Sequence, residues 1–95
     1  AVAGIEVDME SKTVEKDGRP VELTAKEYDL LLLFLRNRNI ALYRERIYEE
    51  VWGGEFVPDS RTVDIHVLRL KRKMGLEQSI VSVRNVGYRL EVSGT

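Results

Sequence analysis

Residues 60–74 form the stretch whose side chains could recognise a ligand. Read as one helix with 3.6 residues per turn, they place basic and aliphatic side chains on one face: Arg61, Ile65, Leu68, Arg69 and Arg72, with His66 and Lys73 on its flank. Guanidinium groups read guanine or bind phosphate, and aliphatic groups meet thymine methyls in a DNA major groove. A solvated face carries the same charges, although it seldom mixes in an Ile and a Leu. The helix alone leaves the two interpretations level.

The other side of the same helix predicts how it is held. An apolar stripe that faces a core recurs at i, i+4, i+7 and i+11: Val63, Val67, Leu70 and Met74. Asp59 or Ser60 offers a side-chain oxygen to the unpaired amides of the first turn, and Gly75 provides a left-handed stop. We therefore expect a helix over about residues 60–74.

No constellation of residues suggests catalysis, a metal or a cofactor. The sequence contains no Gly-rich phosphate-binding motif and no HExxH, and a single histidine cannot build a metal site from imidazoles. Ser60, Asp64 and His66 are the residue types of a catalytic triad. On one helix, however, Ser60 and His66 lie about 120° apart at nearly two turns' separation, so no hydrogen bond joins them. We expect neither an enzyme nor a bound cofactor.

The composition indicates one small globular domain of 95 residues, 43% apolar and 33% charged. No apolar run approaches the roughly 20 residues that span a bilayer, and there is no secretory signal pattern. The absence of cysteine agrees with a reducing compartment. We therefore expect a cytoplasmic protein without a membrane partner.

The net charge of −1 argues weakly against a nucleic-acid ligand, but the charges are unevenly placed. Residues 1–23 hold three basic and six acidic side chains, and residues 24–59 hold five and seven. Residues 60–95 hold seven basic and three acidic side chains, which makes that part of the chain net +4. Such a local positive field steers a polyanion toward a protein.

The acidic segment of residues 1–23 reads as short strands. Asp17-Gly18 between two extended runs is a strong hairpin signal, and Pro20 suits a sheet edge or a strand start. Because the segment is acidic, we expect a scaffold sheet that packs the first helix rather than a DNA contact.

Residues 24–75 predict a core of three helices. A capping box, Thr24 to Glu27, opens a first helix that runs to about Arg36 and is apolar nearly all round, as a central core helix is. Its predicted stripe is Tyr28, Leu31, Leu32 and Leu35, joined by Leu30, Leu33 and Phe34. Residues 40–43 could form one short strand.

A second helix over residues 44–52 ends at Gly53-Gly54. It carries on one side Ile47, Tyr48, Val51 and Trp52. With the basic helix it makes a helix-turn-helix whose turn is longer than the usual 3–4 residues.

The C-terminal part predicts a β-hairpin of residues 80–84 and 88–92, joined by Asn85-Val-Gly87. Ser82 and Arg84 share one face of the first strand, and Val81 and Val83 share the other. If the valines pack inward, Arg84 points outward near the hairpin tip.

In this order, the elements resemble the OmpR/PhoB-type winged-helix DNA-binding domain of two-component response regulators. Five motifs carry the resemblance: LTAKEYDLL at 23–31, RERI at 44–47 with VWG at 51–53, SRTVDIHV at 60–67, LKRKM at 70–74 and VRNVGYR at 83–89. The resemblance covers essentially the whole chain. It implies an α+β fold with an N-terminal antiparallel sheet, three helices and a hairpin wing. It also implies a phospho-receiver domain that is absent from this chain.

The resemblance implies a role for each matching residue. Arg69 would be the main base-reading arginine on the recognition helix, His66 and Lys71 would touch DNA, and Arg61 and Thr62 would bind phosphates. The same DNA-binding face would include Ile65, Leu68, Arg72 and Lys73. On the wing, Ser82 would hold the DNA backbone, Arg84 would enter the minor groove, and Tyr88 would contact a phosphate.

The resemblance also implies protein partners. The loop Trp52, Gly53, Gly54, Glu55 and Phe56 would touch an RNA polymerase subunit or a neighbouring protomer bound in tandem. A sensor kinase would act through the receiver domain.

The sequence departs from the family pattern at three positions. Leu68 stands where many members carry a polar or basic residue, Asn85 replaces a common Gly at the wing tip, and Tyr43 sits where a Ser often caps the second helix. The alternative function is a winged helix that binds proteins without reading DNA, which the net charge and an Ile65–Leu68 patch would favour.

Overall fold

The computed structural model describes residues 2–93 as three helices and two antiparallel three-stranded sheets. Ala1, Gly94 and Thr95, which the predicted domain of residues 1–95 includes, lie outside the described residues. The elements in chain order are β1 (Ile5–Asp8), β2 (Thr13–Lys16), β3 (Arg19–Val21), α1 (Ala25–Arg36), β4 (Leu42–Tyr43), α2 (Arg44–Val51), α3 (Thr62–Met74), β5 (Ile80–Val83) and β6 (Gly87–Leu90).

The N-terminal sheet has the order β1-β2-β3, and its antiparallel β2–β3 pair is the hairpin that Asp17-Gly18 predicts. Asp17 and Gly18 both have positive φ, 53° and 82°, which a tight hairpin turn between twisted strands requires. Pro20 lies on the edge strand β3, where its missing N–H leaves no gap in the ladder.

The predicted capping box starts α1. The Glu27 amide donates to Thr24 Oγ1 at 3.2 Å, and the Thr24 amide donates to Glu27 Oε1 at 2.9 Å. Leu30, Leu31 and Phe34 are fully buried, whereas Leu32 and Leu35 of the predicted stripe are only half-buried. The most buried face of α1 is therefore rotated from the predicted stripe.

The second sheet has the order β4-β6-β5, so the short strand before α2 joins the hairpin. Leu42 lies opposite Tyr88, and Tyr43 lies opposite Gly87. A Cβ at Gly87 would overlap the Leu42 carbonyl oxygen, so this close pairing depends on glycine. The two hairpin strands are each shorter than predicted, and Asn85 sits in their turn with a φ of 64°.

α2 begins without a side-chain cap, because Tyr43 at its N-cap position offers none. Instead, the Arg44 amide donates to the Val86 carbonyl oxygen at 3.1 Å. The wing backbone thereby satisfies one of the first four amides of α2, which have no partner within the helix.

α3 begins two residues later than predicted. Ser60 Oγ accepts the Thr62 amide hydrogen at 3.2 Å and donates to Thr62 Oγ1 at 2.9 Å, and this local turn precedes the first helical residue. At the other end, Gly75 adopts the predicted left-handed conformation with a φ of 64°. The predicted stripe is buried in full: Val63, Val67, Leu70 and Met74.

Candidate nucleic-acid interface

The face of α3 opposite the buried stripe is exposed and mixes basic with aliphatic side chains. Ile65 and Leu68 are 41% and 43% exposed, which is high for aliphatic residues in mid-helix. Arg61, Arg69 and Arg72 are exposed beside them, and Thr62 and Lys71 are half-buried. The structure therefore places these seven predicted contact residues on α3 and at its N-cap, and their contacts with DNA remain predictions.

His66 is fixed at the flank of this face. Its Nδ1 lies 2.8 Å from the Thr62 carbonyl oxygen, and because that oxygen only accepts, Nδ1 carries the hydrogen. The nitrogen left to meet a ligand is Nε2, which accepts in the neutral ring and donates in the imidazolium. The Trp52 ring meets the His66 ring edge-on, with the centroids 4.8 Å apart.

Lys73 differs from the other basic residues of the helix. Its Nζ donates to Glu27 Oε1 at 2.7 Å, and the Glu27 side chain is only 2% exposed. Burial alone raises the pKa of Glu27, but the hydrogen bonds from Lys73 and the Thr24 amide outweigh it and hold the pKa below its usual value. Lys73 thus joins the end of α3 to the start of α1, in addition to the DNA contact that the sequence predicts for it.

The wing presents two of its three predicted contact residues to solvent. Ser82 is exposed on β5, and Arg84 is exposed just past the end of that strand. Tyr88 is only 7% exposed, and its hydroxyl donates to Asp64 Oδ1 at 2.5 Å. The phosphate contact predicted for Tyr88 would require this hydroxyl to leave Asp64.

Val81 and Val83 are half-buried and do not belong to the core, so the condition from which the outward position of Arg84 was inferred is not met. The buried residues of the hairpin are Ile80 and Leu90, which pair across the strands, and Tyr88, which pairs with Ser82. Since alternate residues share a face, Ser82 is on the same face of β5 as Ile80, although its side chain is exposed, and the two valines are on the opposite face. Arg84 is exposed just past the end of β5, and its exposure does not depend on inward packing of the valines.

A network that the sequence did not predict joins α2, α3 and β6. Asp64 Oδ1 accepts from Arg44 Nε at 2.9 Å as well as from the Tyr88 hydroxyl, and the Arg44 guanidinium lies 5.1 Å from the centre of the Tyr88 ring. Burial alone raises the pKa of Asp64, but its hydrogen bonds from Tyr88 and Arg44 hold the pKa below the usual value. Asp64 is therefore a carboxylate at neutral pH. Separations of 20 and 24 residues leave no local sequence signal for such contacts.

The loop between α2 and α3 is anchored by aromatic side chains. Trp52 stacks on Tyr48 with centroids 5.6 Å apart and planes 11° apart, and Phe56 meets Tyr48 at 5.8 Å. Gly53 and Gly54 turn the chain with φ of 73° and 78°, and Glu55 is exposed between the two anchors. The predicted loop residues are thus held against α2 at both ends.

Residues 2–93 contain no cluster of three or more His, Cys, Asp or Glu side chains that could hold a metal ion. Within the same residues, no helix has the length and apolar character needed to cross a membrane.

Residues 18–90 match the family model described as "Transcriptional regulatory protein, C terminal". The chain is 40% identical over 90 residues to the response regulator ArlR of Staphylococcus saprophyticus, covering 92% of this chain but 41% of ArlR. The chain thus spans less than half the length of this relative.

Two solved structures have the same fold. The RstA DNA-binding domain of Klebsiella pneumoniae, solved in complex with the RstA box, superposes with a TM-score of 0.89 at 22% identity, covering 96% of this chain and 94% of that one. The AdeR DNA-binding domain, solved in complex with an intercistronic region, gives 0.79 at 29% identity, covering 93% and 94%. With the family match over most of its length, this chain belongs to the C-terminal domains of transcriptional regulatory proteins, the OmpR/PhoB-type winged-helix domains of response regulators.

Proposed function

We propose that this chain binds double-stranded DNA sequence-specifically, as the effector domain of a response regulator that controls transcription in a two-component system. The observation that supports this most directly is the exposed face of α3. Ile65 and Leu68 stay uncovered beside Arg69, although the opposite stripe of the same helix is fully buried. An apolar and basic face of this kind suits the methyl and acceptor groups of a major groove.

The wing supports the same function. Arg84 is exposed at the end of β5, in the part of the chain with a net charge of +4. When α3 occupies a major groove, we expect Arg84 to reach the neighbouring minor groove. A narrow A·T-rich minor groove attracts a guanidinium through its enhanced negative potential.

Selection of bound sequences from a random duplex library tests the proposal. We expect one DNA sequence to be enriched. The affinity of the protein for that sequence should fall steeply with salt, because each contacted phosphate contributes about −0.9 to the slope of log K against log salt concentration. The alternative is a protein-interaction module whose partner would dock on the loop side of the molecule. There, exposed Tyr43 borders a surface cleft of about 280 Å³ that also involves Phe56 and Pro58. Absence of enrichment, with no salt dependence, would favour that alternative.

The family resemblance supports further partners. We propose that two copies bind tandem half-sites about one helical turn apart, which a footprint confined to one half-site at saturating protein would contradict. The exposed, acidic Glu55 of the anchored loop suits a protein contact, with an RNA polymerase subunit as the proposed partner. A sensor kinase would act through a receiver domain of the whole protein, in the cytoplasm.

A further inference from the structure

The contacts of Asp64 connect the two elements that would read DNA. Asp64 lies in the first turn of α3, the proposed reading helix, and Tyr88 lies on β6, directly opposite Ser82 of the wing. One carboxylate oxygen accepts from Tyr88 and from Arg44, the first residue of α2. Three elements therefore meet at a single atom, at the point where the reading helix begins.

The backbone around this atom adds a second link. The Arg44 amide donates to the Val86 carbonyl oxygen in the wing turn, and Gly87 is too close to Leu42 to admit a side chain. The wing is thus attached to the start of α2 by its backbone and to the start of α3 by the Tyr88 hydroxyl. The hydrogen bond from the Tyr88 hydroxyl to the Asp64 carboxylate is part-buried and its acceptor is charged, which makes it stronger than a neutral hydrogen bond. This bond therefore restricts rotation of the wing about its attachment.

We propose that Arg44, Asp64 and Tyr88 are positioning residues that fix the wing relative to the reading helix, so that contacts from both elements form on the same DNA site. This inference rests on the proposed DNA-binding function. The physical reason is preorganisation: contacts made by elements held in the bound arrangement do not lose affinity to the ordering of those elements.

The test is a double-mutant cycle on affinity for the selected DNA site, with Tyr88→Phe, Arg84→Ala and the double variant. Tyr88→Phe removes one hydroxyl and keeps the buried ring, so the fold is retained. We expect Arg84→Ala to weaken binding about tenfold in the wild-type background and less than about threefold in the Tyr88→Phe background. The reason is that a wing held only by its backbone links positions Arg84 less firmly at the groove.

Tyr28→Phe is the matched control, because Tyr28 and Tyr88 are both 7% exposed and Tyr28 lies on α1. We expect this variant to leave the tenfold effect of Arg84→Ala unchanged. Asp64→Asn should reproduce the effect of Tyr88→Phe, since the amide keeps the shape but loses the charge that strengthens both hydrogen bonds.

Three results would overturn the inference. Additive losses from Tyr88→Phe and Arg84→Ala would mean that Tyr88 acts independently, for example as a phosphate contact. No loss from Arg84→Ala in the wild type would mean that the wing needs no positioning. If the effect of Arg84→Ala on DNA affinity also shrank in the Tyr28→Phe background, the change would reflect a general loss of protein stability rather than a role of Tyr88. A wild-type protein that selects no sequence would instead refute the proposed function itself.

Discussion

Replacing Lys73 by Met should reveal whether this lysine serves the fold or the DNA. The substitution keeps the aliphatic stem and removes the ammonium group that donates to Glu27 Oε1 at 2.7 Å. The Glu27 side chain is 2% exposed, so its carboxylate would keep the Thr24 amide as a partner but would have no cation beside it.

The expected loss of stability follows from how exposed the Lys73 and Glu27 side chains are. Removing one partner of a fully buried ion pair costs about 3–5 kcal/mol. Here the Lys73 side chain is 40% exposed, so its ammonium is already partly hydrated, and the Thr24 hydrogen bond remains. We therefore expect a loss close to that of one hydrogen bond to a charged group, about 1.5–3 kcal/mol. In a domain of this size, such a loss lowers Tm by on the order of 10 °C.

The stability of the variant should also depend on pH in a defined direction. In the wild type the pKa of Glu27 is lowered on folding, so the carboxylate stabilises the fold at neutral pH and this contribution is lost as pH falls through the folded value. Without Lys73, only the Thr24 hydrogen bonds oppose the effect of burial, which raises the pKa of Glu27. The protonated acid carries no charge and therefore needs no cation beside it. The deficit of Lys73→Met relative to wild type should therefore be largest near neutral pH and should narrow on acidification.

The assay compares Lys73→Met with Arg72→Met, its neighbour on the same helix. Arg72 is exposed and makes no ion pair within residues 2–93. Urea unfolding should show a loss for Lys73→Met only, whereas DNA affinity, measured where all variants are folded, should fall mainly for Arg72→Met. Wild-type stability of Lys73→Met, or a deficit that grows on acidification, would refute the structural role. If Lys73→Met reduced the dependence of DNA affinity on salt by the amount expected for one phosphate contact, Lys73 would be a DNA contact.

Three further variants test the proposed interface. Arg69→Ala should cost about 1–3 kcal/mol on the selected site and relax specificity at one base pair, and an equal loss on random DNA would make Arg69 a phosphate contact. Arg84→Ala should weaken binding most on sites with A·T-rich flanks. Arg84→Lys should restore only part of this affinity, because an ammonium is more strongly hydrated than a guanidinium. Equal losses of affinity on matched sites with A·T and with G·C flanks would show that Arg84 does not read groove width. Glu55→Lys should leave DNA affinity equal or slightly higher while changing transcription from a reporter, and the opposite pattern would assign the loop to DNA.

Local patterns in the sequence were sufficient where one element determines its own geometry. The capping box at Thr24, the stripe from Val63 to Met74 and the turn at Gly75 each depend on residues within a few positions of one another, and all three are present. The exposure of Ile65 and Leu68 followed from the same periodicity, because the stripe leaves no core position for them.

The start of α3 and the buried face of α1 were predicted imprecisely, whereas the larger gaps arose where pairing between distant segments decides the outcome. Alternation in residues 80–84 separates two faces but does not say which is buried, and the larger side chains of Ile80 and Leu90 took the core side. The pairing of β4 with β6 depends on a strand of two residues, too short for a pattern. The contacts of Asp64 likewise join segments 20 and 24 residues apart, so only the folded chain reveals them.

The position of Trp52 gives this protein a built-in optical reporter. The chain has one tryptophan, so all indole emission comes from a ring whose centre lies 4.8 Å from that of His66, at the flank of the proposed reading face. A ligand that seats on that face changes the solvent and the charge around the indole. Titrations can therefore follow the unlabelled protein by its own fluorescence. Comparing wild type with a His66 variant would separate the fluorescence change caused by the neighbouring imidazole from the change caused by exclusion of solvent.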